Sequence, residues 1–314
     1  MFKEMEYVFA VYEERSFSKA AKKLHISQPA LSNIVKKAET EIGMPIFDRS
    51  TIPLTVTKAG EFYIQSIQQI RAIQKNVEEY FEDVKNTNTG ELVLGGSSYF
   101  CSFVFPEMIS RFHRRYPNIT IHLKEDMVDH LREELLHEEI DLVLETAFHE
   151  EEPDIRNVFY KNEHIILAVP KILQVNLRLQ PYQIGRHEII CGRFLHPSFE
   201  SVPMIHFKDT PFIKMKPGND MYLRSTQICR NAGFDMKAVL YVDQVMTSLN
   251  IAATGTGALF IRSDIVRHLP PDPRLVYYKI GDPLAERKVN WSYKKTRYLS
   301  NSVREFIRIG NGVE

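Results

Sequence analysis

The chain has 314 residues, with 40 Lys and Arg against 40 Asp and Glu, so its formal net charge is +0 at pH 7. That length supports two domains with real cores, and any affinity for a polyanion must be local to one of them. No apolar run approaches the roughly 18 residues of a membrane span. The cysteines Cys101, Cys191 and Cys229 stand far apart without C-x-x-C spacing, against a disulfide framework or a zinc site. The acid-bearing start, Met1 to Glu6, does not read as a signal peptide, so a reduced cytoplasm is expected.

Residues 1–14 place Phe2, Met5, Val8, Phe9 and Tyr12 on one helical face. Two short helical patterns follow. Ser18–Leu24 carries Ala20, Ala21 and Leu24 at helix-face spacing, and the second begins at Gln28–Pro29 with Ala30, Leu31, Ile34, Val35 and Ala38. His25–Ile26–Ser27 is the break between them. Ser27 or Gln28 can close the new helix end, and Pro29 fits a first turn because its missing N–H leaves no bond unmade. Gly43 and Pro45 stop the helix near Glu41.

Two such helices form a helix-turn-helix, whose second member enters the major groove. Gln28, Ser32 and Asn33 can bond base edges. Arg15, Lys19, Lys22, Lys23, Lys36 and Lys37 are basic, and no acidic residue lies from Arg15 to Ala38. A plain helical hairpin with a solvated lysine face would share the pattern, but geometry and charge together favour DNA.

A longer register of motifs runs through this region. It comprises Phe9, Ser16, Phe17, Ala20, Ala21, Leu24 and Ser27–Ser32, then Glu39, Gly43, Pro45, Ile46-Phe47, Arg49 and Thr57-Lys58-Ala59-Gly60. It resembles the winged helix-turn-helix of LysR-type transcriptional regulators. Ile46, Ala38 and Val56 stand where leucine is commoner, and Asn33 occupies a position that is often arginine. The resemblance implies DNA contacts from Ser27, Gln28, Pro29, Ser32, Asn33, Lys36, Lys37 and Arg49. Residues 45–57 read as a two-stranded wing; Arg49 there contacts phosphate or, alternatively, pairs with Asp48 or Glu41.

Thr57 can cap the next helix. Tyr63, Ile67, Ile70, Gln74, Val77, Phe81 and Val84 then alternate steps of four and three, a heptad seam interrupted by one polar residue. So small a domain cannot bury that stripe, so a second copy is its expected cover. A polar linker, Asn86 to Gly90, follows.

Beyond Gly90 strands and helices alternate. Leu92–Leu94, Asn118–Leu123 and Asp141–Leu144 read as strands, with helices running to Tyr116 and over Met127–Glu138, a βαβαβ order that predicts a mostly parallel sheet. Further strands are expected at His164–Val169, Ile189–Ile190, Phe212–Met215, Ala238–Tyr241, Gly257–Ile261, Leu275–Lys279 and Val289–Tyr293, and helices at Arg224–Ala232, Gln244–Thr254 and Ser302–Ile309. Gly90, Leu92, Gly95, Pro106, Phe112, Tyr116-Pro117, Ile119, Ile121, Leu135 and Asp141-Leu142, with Val245, Ala252-Ala253, Gly255 and Gly257, resemble the LysR-type effector domain, which has a periplasmic-binding-protein fold. Leu173–Pro211 does not align, and Ile261 stands where proline is usual.

No G-x-S-x-G, Walker or H-E-x-x-H motif occurs, so no enzyme is expected. Ser97 and Ser98 fall where the first strand meets a helix, an edge that suits a carboxylate or similar anion, unless they merely cap the helix. The resemblance adds Glu145 and Thr146 at a strand end and Thr210, Pro211 and Phe212 across a cleft. An ionised, inward Glu145 would oppose an anion and favour an amine or hydroxyl.

The expected fold is mixed: an all-α winged helix-turn-helix, a long dimerisation helix, and an α/β two-lobed domain. The expected boundaries are 1–58, 59–87 and 91–314, with lobe I about 91–163 and 267–314 and lobe II about 164–266. The resemblance implies a DNA-binding regulator that responds to a small-molecule co-inducer, uses no other cofactor or metal, forms homodimers and homotetramers, and meets RNA polymerase at promoters. A solute-binding or enzyme domain would leave residues 16–60 unexplained. A ligand-free architectural DNA protein would instead have a filled, apolar cleft.

Overall fold

The computed structural model describes residues 4–51, 53–85, 89–146 and 152–313. Phe2, the wing residue Ile52, Asn86–Asn88 and Glu150-Glu151 lie outside them. The chain divides into two units, Met1–Lys85 and Asn86–Glu314.

In the first unit, α1 (Met5–Glu14), α2 (Phe17–Lys23) and α3 (Gln28–Ile42) precede a wing of β1 (Phe47–Asp48) and β2 (Thr55–Val56), and α4 (Lys58–Lys85) closes it. The starts of α2, α3 and α4 are capped by side chains. Ser16 Oγ accepts from the Lys19 N–H at 3.4 Å, Ser27 Oγ from Ala30 at 3.3 Å, and Thr57 Oγ1 from Gly60 at 3.0 Å. Gly43 ends α3 at φ 74°, a left-handed conformation that glycine adopts without cost. Val8, Phe9, Ala20, Leu31, Val35, Ile46, Ile64 and Ile67 form one apolar core. A Cβ on Gly60 would lie 2.1 Å from the Ile46 carbonyl oxygen, so only glycine lets α4 start against the wing.

The core divides α4. Ile64 and Ile67 are buried within their own chain, with Tyr63 and Ile70 packed at the margin. The expected seam therefore does not run its whole length between two chains, because its first half already has a partner. Gln68, not Gln74, is the buried amide. Beyond Ala72 the apolar side chains are open: Ile73 is 64% exposed, Val77 51%, Phe81 54% and Val84 61%.

The second unit starts with β3 (Gly90–Gly96). The chain turns helical at Ser98 and passes through a π turn at Phe100–Val104 into α5 (Phe105–Arg115). Next come β4 (Ile119–Glu125), α6 (Val128–Leu136), β5 (Leu142–Glu145), β6 (Ile155–Pro170), α7 (Val175–Arg178), β7 (Gln183–Ile184) and α8 (Arg186–Ile190). Then follow β8 (Phe212–Met215), α9 (Asp220–Asn231), β9 (Ala238–Val242), α10 (Val245–Ala252), β10 (Leu259–Arg262), α11 (Ile265–His268), β11 (Leu275–Lys279), β12 (Glu286–Lys294) and α12 (Asn301–Gly310).

The main sheet has the order β4-β3-β5-β12-β6-β11-β7, with β10 also on β6, and β8 pairs β9 in a parallel ribbon. β3 is parallel to β4 and β5. β12, β10, β11 and β7 all join antiparallel, so the main sheet is mixed rather than mostly parallel. Three other expectations change. Ile189–Ile190 is helical, in α8: both are apolar, but Gly185 N-terminal to them opens a helix start and the run is too short to carry a ladder. The expected strand at His164–Val169 is the second part of a longer one, because residues 156–162, polar at both ends with Val158, Phe159 and Tyr160 between, continue the ladder on a half-open surface. β11 pairs β6 over Ile166–Pro170 and also β7, which puts Leu275–Lys279 with the lobe II strands rather than in lobe I.

β6 is shared. Its Ile155–His164 part pairs β12, and its Ile165–Pro170 part pairs β10 and β11. The two halves of this unit therefore hinge on one continuous strand near residues 163–165.

Candidate nucleic-acid interface and ligand cleft

α3 buries Leu31, Val35 and Ala38 and leaves Ser27, Gln28, Pro29, Asn33 and Lys36 exposed, with Ser32 half-buried. One helix thus has a pinned face and an open polar face. Lys19, Lys22 and Lys36 have no ion-pair partner among the described residues, whereas Lys23 meets Glu13 at 2.9 Å. Lys37 differs from its neighbours. Its ammonium lies 2.6 Å from Glu4 on the segment leading into α1, and this bond lowers the Glu4 carboxyl to about 2. Lys37 is a strut between helices before it is a phosphate contact.

Arg49 pairs with neither Asp48 nor Glu41. Its Nη2 donates to Glu39 Oε2 at 2.9 Å and its Nη1 to Ser32 Oγ at 3.3 Å, and its guanidinium lies 4.9 Å from the Phe17 ring centroid. Glu39 Oε1 meanwhile accepts from the Ile46 and Phe47 N–H groups at 2.9 and 3.3 Å. One carboxylate on α3 therefore clamps the wing through two backbone donors and one side chain. The sequence motif contained Glu39 but did not disclose that role.

In the second unit, Ser97 directly follows β3 and Ser98 begins the helix. Ser97 Oγ is buried without a hydrogen-bond partner, so it makes no capping bond. Glu145 is fully buried but is not a free inward carboxylate. Arg132 Nε lies 2.9 Å from its Oε2, Arg132 Nη2 lies 3.1 Å from its Oε1, and Ser292 Oγ donates to it at 2.6 Å. Paired in this way it does not oppose an anion. Thr146 donates to Asp220 at 3.3 Å, linking the end of β5 to the start of α9. Thr210 is buried and Pro211 half-buried, but Phe212 stacks on Phe260 inside the lobe II core, so it stands behind the cleft wall rather than on it.

At the hinge lies a group that the sequence did not reveal. Glu163 on β6 is within 3.1 Å of Arg262 Nε on β10 and 3.3 Å of Arg287 Nε on β12. Arg287 also binds Asp220, which Arg224 meets at 2.7 Å. The Arg262 guanidinium lies 4.0 Å from the Tyr99 ring centroid and 4.8 Å from that of Phe100. Burial disfavours the charged form of each, so it lowers the Arg262 pKa and raises that of Tyr99. Arg262 follows the expected strand Gly257–Ile261 and Arg287 precedes Val289–Tyr293, and no motif joins them.

Residues 2–61 match the bacterial regulatory helix-turn-helix protein, lysR family, and residues 85–310 match the LysR substrate binding domain. The chain belongs to the LysR family. It is a LysR-type transcriptional regulator, not an enzyme, with a winged helix-turn-helix and an effector-binding domain. Over 98% of its length this regulator is similar to the uncharacterized HTH-type transcriptional regulator YcgK of Bacillus subtilis, at 26% identity and 93% coverage of that protein. The fold matches full-length OxyR from Pseudomonas aeruginosa with a TM-score of 0.70 at 21% identity, covering 100% of this chain and 94% of that one. It also matches CbnR in complex with its target DNA, with a TM-score of 0.65 at 17% identity and 100% coverage of both chains. Among the described residues no helix is long and apolar enough to cross a membrane.

Proposed function

We propose that the regulator binds its operator through α3, with Gln28, Ser32 and Asn33 at base edges, Lys36 on phosphate, and Ser27 and Pro29 fixing the helix end. Arg49 acts mainly by holding the wing to α3, and Lys37 by holding α3 to α1. The observation that supports this most is the division of α3 into a buried apolar face and an open polar one, with its part up to Ala38 inside the acid-free basic stretch that starts at Arg15. A second copy covers Val77, Phe81 and Val84, joined by Ile73 and Tyr80; two such dimers form a tetramer. A small-molecule effector binds between the lobes against Ser97, Ser98, Thr146, Thr210 and Pro211, with Glu145 and Phe212 behind that wall, and no further cofactor is required. The regulator works in the cytoplasm and meets RNA polymerase at its promoters.

The test is anisotropy with DNA from the intergenic region beside its gene. Gln28→Ala is expected to lose roughly 1–3 kcal/mol of specific binding, and Lys36→Ala to weaken all sequences alike and flatten the salt dependence. Unchanged affinity and slope in both folded variants would refute the assignment. Phe81→Asp places a charge in the apolar contact, and sedimentation is expected to show loss of the dimer.

A further inference from the structure

We propose that residues 183–200 form a brace across the hinge, tied to lobe II at both ends and through α11 to lobe I in the middle, which opposes rotation of the two halves and so helps set the regulator's resting state. The regulatory consequence rests on the operator binding given above; the brace itself does not.

The segment lies within Leu173–Pro211, a stretch that the LysR-type pattern does not account for. It is docked at three spaced apolar side chains. Ile184, Ile189 and Phe194 are buried in the same core as Tyr99, Phe100 and Ile265, whereas His187, Cys191 and Arg193 between them are exposed.

Both ends of the segment return to one strand of lobe II. β7 pairs β11 at Ile184↔Tyr277 and Gln183↔Tyr278, and Gln183 Nε2 donates to the Tyr278 hydroxyl at 3.1 Å. Lys279, the next residue of β11, donates from Nζ to the Phe199 carbonyl at 3.0 Å and lies 3.4 Å from that of His196.

The middle of the segment reaches α11 instead. Arg186 Nη2 donates to the Leu269 carbonyl at 2.5 Å, and Arg267 Nη2 donates back to the Ile190 carbonyl at 2.8 Å. Ile190 ends α8 and Leu269 follows α11. Carbonyls at a helix C-terminus lack partners within the helix, so each takes a guanidinium from the other element. α11 is in turn held to lobe I. Asp264 at its start pairs with Lys161 on the β12-paired part of β6, and His268 at its end stacks on Phe103 with ring centroids 5.0 Å apart. Phe194 also meets the ring of His164, the last β6 residue paired with β12, edge-on at 6.2 Å.

The chain of contacts therefore runs from β11 through the brace to α11 and on to lobe I, in parallel with β6 rather than through it. A tie in parallel with a hinge stiffens it. The differential binding free energy that a ligand must supply to change the lobe angle is then set partly by residues outside the cleft.

The experiment is hydrogen–deuterium exchange of the full-length protein without ligand. Wild type is compared with a double variant, Arg186→Met with Arg267→Met, which keeps the apolar stems and removes both guanidinium bonds. Amides of residues 186–192 are expected to exchange about tenfold faster and those of residues 162–168 in β6 at least about threefold faster, while those of α3 and β4 keep their wild-type rates. The inference is overturned if 186–192 loosens and 162–168 does not, because the segment is then surface packing alone. It is equally overturned if neither changes, because the two bonds then hold nothing. Arg267 is exposed, so Arg267→Met decides alone should the double variant fail to fold. Footprints on the intergenic DNA, again without ligand, test the regulatory consequence. The double variant is expected to protect a different length of DNA from wild type. A loosened β6 with an unchanged footprint would mean that the brace does not set the resting state, and the inference falls. A wild-type protein that gives no footprint counts against the operator reading instead, and the exchange rates then decide the brace.

Discussion

The two units solve the problem of a stable interior differently. Around α1–α4 the core is apolar, and the buried polar or charged residues there, among those described, are Glu4 and Gln68. The second unit buries Arg132, Asp141, Glu145, Glu163, Arg224, Arg262, Arg287 and Arg297, largely in ion pairs. Apolar burial is non-directional and has no alternative partner, which suits a platform that must present α3 unchanged. Buried ion pairs are directional, and their members can exchange one partner for another, which suits a unit that answers a ligand. They contribute less to net stability than their number suggests, because desolvation offsets most of the attraction.

The comparison can be broken first at Arg287. Arg287→Ala leaves Glu163 and Asp220 short of a buried partner and is expected to cost about 3–5 kcal/mol. Urea denaturation followed by separate probes for each unit should show the second unit's transition shift while the first stays. A loss under about 1 kcal/mol would mean that water relieves the cluster and the contrast is overstated. Arg49→Ala gives a smaller effect. The Arg49 side chain is 44% exposed although Glu39 is largely covered, so stability should fall by about 1 kcal/mol, yet DNA affinity should drop for all sequences as the wing loosens. Equal binding by the variant would remove the strut from the account. The smallest effect concerns acid. Lys37 holds the Glu4 carboxyl to about 2, below its ordinary 4.5, so the folded state binds fewer protons than the unfolded one in between. The contribution is complete above 4.5 and is lost as pH falls toward 2. Glu4→Gln should flatten the first unit's Tm profile in that window.

The first unit was largely legible, because its signals are local. Ser27, Pro29 and Gly43 mark helix ends by their own chemistry, and Leu31, Val35 and Ala38 mark a face by spacing. What escaped was whose surface a face meets. Tyr63 and Phe81 belong to one heptad pattern, but one packs on its own domain and the other is open, and periodicity does not distinguish the two. In the second unit the helices and short apolar strands were readable, while the polar half of β6 was not. The hinge cluster was least legible of all. Glu163, Asp220, Arg262 and Arg287 are scattered over more than a hundred residues of sequence; the pairing of β6 with β10 and β12 joins three of them, and the start of α9 brings Asp220 to Arg287. Glu145, by contrast, was visible as a residue but not as half of an ion pair with Arg132.

β6 also sets how the second unit can deform. Sixteen residues of strand extend roughly 53 Å at about 3.3 Å per residue, clamped by β12 at one end and by β10 and β11 at the other. Any change of angle between the halves is then a twist of this single ribbon at His164 and Ile165, where one set of partner strands gives way directly to the other. The shift of register at Val289/Asn290 gives its partner strand local slack near that torsion point. Such an element behaves as a torsion bar, whose stiffness sets how much rotation a given binding energy produces.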